Sequence, residues 1–330
     1  MNATPNLAVI GAGLAGLSCA AALQRAGLRV TVCEKSRGAG GRMSTRRGED
    51  WQCDHGAQYF TARHPDFRAE VERWARAGVA GTWAPRLQVL GGSFERVPDA
   101  ALQRFVGIPA MTAPARDLAQ ALSLAKETTI TQLQRAAHRW QLLTAERGWL
   151  VDRFDAMLLA IPAPQAAALL RQPAPALAAR AGSANMRGGW ALMLRFATPV
   201  ELPFDGAFVN EGPLRWIARN NSKPGRGGRE TWLLHATAEW SEAHLEQDAN
   251  EIAASLLAAF CQLGGPPPYA WTAHRWRYAD TEPPLDTGCA WEPDLGVGLC
   301  GDWLNGGKVE GAWLSGKALA QLVLQSFGAR

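Results

Sequence analysis

The six cysteines of this 330-residue chain (Cys19, Cys33, Cys53, Cys261, Cys289 and Cys300) form no Cys-x-x-Cys pair and show no metal-ligand spacing. That absence excludes a finger-type zinc site and a dithiol relay, and it predicts buried, reduced thiols of a cytoplasmic protein. No long basic run is present and the net charge of +4 is small for the length, so nucleic acid is not an expected partner. No secretory or membrane-spanning segment is expected either. The uncharged stretch from Leu7 to Leu23 contains glycines and lacks a basic n-region. Internal repeats, low-complexity tracts, a haem motif and a convincing Ser/His/Asp set are also missing. What the chain does have is ample core, 47% hydrophobic, for one large or two interleaved domains.

Residues 7–42 carry the strongest pattern. Leu7 to Ile10 reads as a strand, Gly11-Ala12-Gly13-Leu14-Ala15-Gly16 follows, and an alanine-rich helix runs to Ala26 with Gly27 at its C′ position. Arg29 to Cys33 is a second strand that ends on Glu34. This is a βαβ unit with a dinucleotide fingerprint. Gly11 allows the tight turn, Gly13 lets the backbone approach a pyrophosphate, and Gly16 permits close helix–strand packing. The helix N-terminus offers free N–H groups and partial positive charge. Glu34 is placed to accept both hydroxyls of an adenosine ribose and disfavours a 2′-phosphate. Gly296-Val297-Gly298-Leu299-Cys300-Gly301 fits the same spacing, but no helix opens on its glycines, so it reads as coincidence.

A second glycine-rich loop, Lys35-Ser36-Arg37-Gly38-Ala39-Gly40-Gly41-Arg42, brings guanidinium groups suited to further phosphate contacts. Together with Glu34 it resembles the flavin-binding signature of the amine oxidase superfamily, which implies FAD. Downstream, Asp54-His55-Gly56-Ala57-Gln58-Tyr59-Phe60 is a turn rich in hydrogen-bonding groups and a candidate flavin-edge contact. This string, the later Ser222-Lys223-Pro224-Gly225-Arg226 and the terminal segment from Gly301-Asp302 to Ala312-Trp313 resemble renalases of the bacterial type, within the FAD-dependent amine oxidase superfamily.

The resemblance implies an α/β fold: a Rossmann-type FAD-binding domain (amine oxidase / p-hydroxybenzoate hydroxylase-like) with an inserted α+β substrate domain built on a mostly antiparallel sheet. The expected FAD-binding pieces are 1–65, 112–180 and 285–330, with 66–111 and 181–284 forming the substrate domain. It also implies adenine contact at the backbone of Ile130, a ribityl or pyrophosphate contact for Asp302, and a helix beginning near Val309–Gly311 aimed at the flavin N1/C2 region. Local signals predict a helix opened by Pro65 and ended by Gly78, a hairpin over 82–98, and a helix over 114–125 capped by Thr112. They further predict a β-meander over 130–154, a buried strand at 158–162, and a helix capped by Ser241 with a stripe of Leu245, Ala249, Ile252, Leu256 and Phe260.

With one dinucleotide fingerprint in context and no second electron carrier, the flavin is most simply reduced by a substrate and reoxidised by O2, giving hydrogen peroxide. Hydride transfer needs alignment and a dry cavity rather than a protein nucleophile. Amine oxidases of the superfamily usually carry an aromatic residue where this chain has Lys308, a cation that suits an anionic substrate better than an ammonium. The basic segment from Arg215 to Arg229 offers either phosphate contacts or a solvated loop. Nine of the fourteen tryptophans follow residue 185. Trp216, His235 and Trp276 are candidate cavity walls, and Gln58 and Asn220 candidate polar contacts; His55 is either structural or catalytic. The resemblance implies oxidation of 2- or 6-dihydro isomers of NAD(P) to NAD(P)+. An amine oxidase and a flavin-bearing binding protein are the alternatives.

Overall fold

The computed structural model describes residues 4–92, 99 and 101–328. The apolar run at the N-terminus forms the strand Asn6–Ile10, buried along its whole length. It pairs in parallel with Arg29–Cys33 on one side and Ala156–Leu159 on the other. The sheet extends through Ser123–Ala125 at one edge and through Val297–Leu299 and the antiparallel Ala290–Glu292 at the other. Its strands therefore come from three separated stretches of chain. Both faces are covered by apolar clusters, which is why its central strands are near-continuous hydrophobic runs. The helix Leu14–Arg25 and the C-terminal helix Val309–Gly328 pack on one face, with Gly27 closing the first at φ +90°.

The second six-stranded sheet has the order Ala270–Thr281, Met186–Phe196, Glu230–Ala236, Leu214–Arg219, Gly206–Val209, Leu87–Leu90. Four of its five pairings are antiparallel. One face is sealed by the helix Ala249–Gln262 through Ile252, Leu256 and Phe260. Alternation along the strands turns the residues between them to the other face, toward the segment around Cys53.

Several expectations are corrected. Leu87–Leu90 is a strand, but it pairs in parallel with Gly206–Val209 rather than in a local hairpin, and 93–98 lie outside the described residues. The helix after Thr112 spans only Ala113–Ala119, and Ser123–Ala125 instead pairs with the free edge of Arg29–Cys33. Edge hydrogen bonds there outweigh the helical propensity of the segment. The predicted single helix from Ser241 is two. Ala238–Ala243 is capped by Thr237 and Ala249–Gln262 by Asp248, while Ser241 is buried and accepts the Trp190 N–H at 3.1 Å. The meander exists as Ile130–Ala136, Arg139–Thr144 and the two-residue strand Gly148–Trp149. All six cysteines are free, but Cys261 is exposed and Cys289 half-buried. No described helix is long and apolar enough to cross a membrane, and the described residues hold no group of three or more His, Cys, Asp or Glu side chains placed for a metal ion.

Candidate active site

At the first strand–helix turn, Gly11 has φ +105° and a Cβ on it would stand 2.5 Å from the Ala160 carbonyl oxygen. A Cβ on Gly16 would overlap the Gly11 carbonyl. Gly13 caps the helix Leu14–Arg25 without a side chain, and nothing lies within 4 Å of where its Cβ would point. The N–H groups at the start of the helix thus open onto free space, as an anion site requires. The second loop lies against the first: Gly40 N–H donates to the Ala12 carbonyl at 3.0 Å, and a Cβ on Gly41 would be 3.1 Å from Gly13 Cα. The Glu34 carboxylate is buried and fixed by the N–H groups of Ala12 (2.8 Å) and Ser36 (2.7 Å). Each of its oxygens keeps a lone pair for a ligand hydroxyl. Thr112 packs its methyl group beside Gly40, and its Oγ1 is buried with no hydrogen-bond partner. Lys35 and Arg37 are exposed, and neither is ion-paired to a described residue. Thr128, rather than Ile130, meets Glu34, donating its N–H to the Glu34 carbonyl at 2.9 Å; Ile130 pairs with Thr144 in its strand.

Farther along, Arg42 forms an ion pair with Asp302, joining the second loop to the last piece of the chain. Ala57 N–H donates to the Arg42 carbonyl at 2.9 Å, and a Cβ on Gly56 would overlap that same oxygen. The C-terminal helix starts at Val309, and its Gly311 lies so close to Asn305 that any Cβ would overlap the Asn305 carbonyl. Lys308 immediately precedes it and is exposed, its carbonyl accepting the Ala312 N–H at 2.9 Å. The three separated fingerprints therefore converge on one groove.

The inward face of the second sheet closes that groove. Ala191 is in register with His235 on one side and His274 on the other, Trp216 pairs with His235, and Trp276 with Gly189. The His55 carbonyl accepts from both His235 Nε2 (3.1 Å) and Trp276 Nε1 (3.0 Å). The His55 ring stacks on Trp276 at 5.2 Å and meets the edge of His274 at 4.7 Å. Since a carbonyl only accepts, His235 carries its proton on Nε2. Burial, with Arg215 nearby, pushes His235 down to about 3. Burial, with His274 and Arg46, does the same to His55, also to about 3. Burial and Arg46 bring His274 to about 4. All three imidazoles are neutral at physiological pH. Trp216 sits deeper, against Tyr59, Trp83 and Phe208, and is only 5% exposed. Phe60, expected at the cofactor, instead packs in the core with Phe67, Trp74 and Phe105.

Gln58 and Asn220 are committed to the protein rather than free for a substrate. Asn220 accepts the Asp54 N–H at 3.1 Å and donates to the Gln52 carbonyl at 2.9 Å. Gln58 donates to the carbonyls of Asp54 and Gly56 and accepts from Lys223 Nζ at 3.1 Å. The basic segment 215–229 is neither a solvated loop nor a set of open phosphate contacts at its centre. Lys223 and Arg226 have wholly buried side chains and both bond Asp54 Oδ2, at 3.2 and 2.7 Å. Thr45 Oγ1 and Met111 N–H complete the Asp54 shell at 2.6 and 3.2 Å. Burial raises the Asp54 pKa, yet Lys223 and Arg226 outweigh it and hold the carboxyl down at about 2. Sequence reasoning placed Asp54 in the flavin-edge turn and Thr112 at a helix cap. It missed the ion-pair role of the first, the non-capping hydroxyl of the second and the Glu34 contact of Thr128. Only Asp54 carries a local signal, a lone acid in a motif answered by two cations in another.

The open N-terminus of the first helix, the pinned Glu34 and the unpartnered Thr112 hydroxyl fit a bound dinucleotide along this groove. They define the chain as a Rossmann-type dinucleotide-binding flavoprotein. A family model described as an NAD(P)-binding Rossmann-like domain matches residues 9–74, and one described as flavin containing amine oxidoreductase matches residues 77–324. The chain belongs to the flavin-containing amine oxidoreductase family. Its cofactor is FAD. The L-amino-acid oxidase of Siganus canaliculatus is 41% identical over 70 residues, which is 21% of this chain and 13% of that protein. The chain thus matches only a small part of the length of these curated relatives. Cyclohexylamine oxidase from Brevibacterium oxydans IH-35A superposes with TM-score 0.73 at 12% identity, covering 99% of this chain and 100% of the other. An Exiguobacterium sp. 255-15 protein provisionally assigned as a protoporphyrinogen oxidase gives 0.77 at 13% identity, covering 98% and 99%. These likenesses show the shared fold.

Proposed function

We propose that the protein oxidises dihydronicotinamide dinucleotides reduced at ring position 2 or 6, a renalase-type reaction giving NAD(P)+ and hydrogen peroxide. The observation that carries this reading is the charge around the histidine–tryptophan wall. From Trp216 across His235, Ala191 and His274 to Trp276 the face bears no carboxylate, while Arg46 and Arg215 lie close enough to depress the histidines. Arg46 forms no ion pair with a described residue, whereas Arg215 is paired at long range with Asp280 (3.7 Å), and Asp54 is bound by both Lys223 and Arg226. Such a field repels an ammonium and attracts a pyrophosphate. Exposed Lys308 at the start of the C-terminal helix adds to it.

Bound FAD supplies the hydride acceptor and the electron path to O2. The chain's part is to orient and to exclude water. The His55 carbonyl fixes the planes of His235 and Trp276, and neutral imidazoles offer hydrogen bonds without adding charge. A dihydropyridine yields its hydride without prior loss of a proton, so it does not require a strong base from the weakly basic imidazoles of this face. The free cysteines fit a reducing, cytoplasmic site of action.

Family membership favours a second reading, oxidation of a small or aromatic amine. Anaerobic mixing separates the two. Bleaching of the flavin within one turnover by the 2- or 6-dihydro isomers is the expected result. Bleaching by amines with none by the isomers gives the second reading.

A further inference from the structure

The cluster around Asp54 is electrostatically unbalanced. One carboxylate faces two cations, and all three side chains are fully buried. Arg226 is well satisfied: it donates to Asp54 through Nε and Nη2, and through Nη1 to the carbonyls of Gly107 and Pro224. Lys223 is not. Its ammonium has three N–H donors, of which two reach Asp54 Oδ2 (3.2 Å) and Gln58 Oε1 (3.1 Å). Its remaining neighbour is the ring of Trp83, 5.6 Å away. Among the described residues no second carboxylate touches the cluster: Glu230 is bound to Arg219, and Asp50 to Arg229. A surplus buried cation is costly unless a negative charge comes near it.

The cluster's position supplies that charge. Gln58 and Asp54 belong to the same turn as Gly56 and Ala57, and Ala57 hydrogen-bonds the Arg42 carbonyl in the second cofactor loop. The surplus cation is therefore tied, through one turn, to the second cofactor loop. A hydride is two electrons and one proton, so its arrival on a neutral ring leaves one negative charge. We propose that Lys223 is a positioning residue that acts on the bound flavin through the Asp54–Gln58 turn, its unneutralised charge favouring the reduced, anionic cofactor. This inference does not depend on which substrate delivers the hydride.

The test is the midpoint potential of the bound FAD, measured by photoreduction against reference dyes with no substrate present. Lys223→Met is expected to lower the potential, and Lys223→Arg to restore it toward the wild-type value. Asp54→Asn, which enlarges the surplus, is expected to raise it. Wild-type potentials in folded Lys223→Met and Asp54→Asn proteins, with lowered unfolding temperatures alone, would overturn the proposal in favour of a purely structural clasp. So would shifts of the same sign. Where a variant fails to accumulate, the wild-type protein decides. Its fully photoreduced flavin is expected to show the anionic spectrum below neutral pH, and a neutral spectrum there would count against any such surplus charge. None of these readouts requires a dihydronicotinamide, so failure of this inference and failure of the proposed reaction are separately visible.

Discussion

Gly316 in the C-terminal helix lies against Ala15 in the first helix so closely that a Cβ on Gly316 would overlap the Ala15 carbonyl oxygen. Ser18 Oγ, one turn along, donates to the Trp313 carbonyl at 2.8 Å. The first and last segments of the chain thus form one rigid floor beneath the cofactor groove. Gly316→Val is expected to force the helices apart, costing about 1–3 kcal/mol and reducing FAD retention. Thermal unfolding and the flavin-to-protein absorbance ratio after gel filtration check it. An unchanged ratio with wild-type unfolding would show that the contact is slack.

Glu34 joins two backbone donors that have no other acceptor in the turn. Glu34→Ala strands the Ala12 and Ser36 N–H groups and removes the ribose acceptor. The expected loss is about 1–3 kcal/mol for each stranded group. FAD affinity, read by quenching of flavin fluorescence on titration of the apoprotein, falls at least tenfold. Glu34→Gln keeps one acceptor and falls between.

Asp54 gives an acid-side signature. Its folded pKa of about 2 lies below the ordinary 3.8, so its stabilisation is complete above the unfolded value and is lost as pH falls from about 4 through 2. The linkage amounts to about 2 kcal/mol. Asp54→Asn breaks a buried pair and costs about 3–5 kcal/mol near neutrality. The gap between variant and wild type, measured by urea unfolding, should narrow across that acid window. A gap constant with pH would remove Asp54 as the titrating group.

The histidines act at higher pH. Burial places His274 at about 4, below its unfolded 6.5, so the folded state resists protonation. Its contribution is present above about 6.5 and is lost as pH falls toward 4. His274→Phe should lessen, by about one proton's worth of slope out of three, the wild-type decline between those values, the rest coming from His55 and His235, while leaving stability near pH 8 similar. The urea midpoint followed against pH decides this, and parallel curves for the two proteins would refute it.

Neutral histidines also set the rate profile. With His55 and His235 near 3, neither imparts an acidic limb to kcat/KM between about pH 5 and 8. A limb near 6.5 that disappears in His235→Gln would place the proton on that ring after all.

The parts readable along the chain are those governed by local rules. Gly11, Gly13 and Gly16 declare the turn because backbone sterics there admit no side chain, and Glu34 follows by strand length. Pro65 and Gly78 bound their helix for equally local reasons. The helix expected from Ser241 failed because its hydroxyl was needed by Trp190, a partner 51 positions away. Ser123–Ala125 became a strand because a distant edge needed hydrogen bonds.

Sequence alone determined the dinucleotide turn and the acid that follows it, since those rest on spacing within one βαβ unit. Only the tertiary structure decided what the charged motifs do. Whether Lys223 and Arg226 are solvated or buried depends on whether Asp54, some 170 residues earlier, is carried to them. Charge is written in the residue, but its solvation is set by what the rest of the chain packs around it.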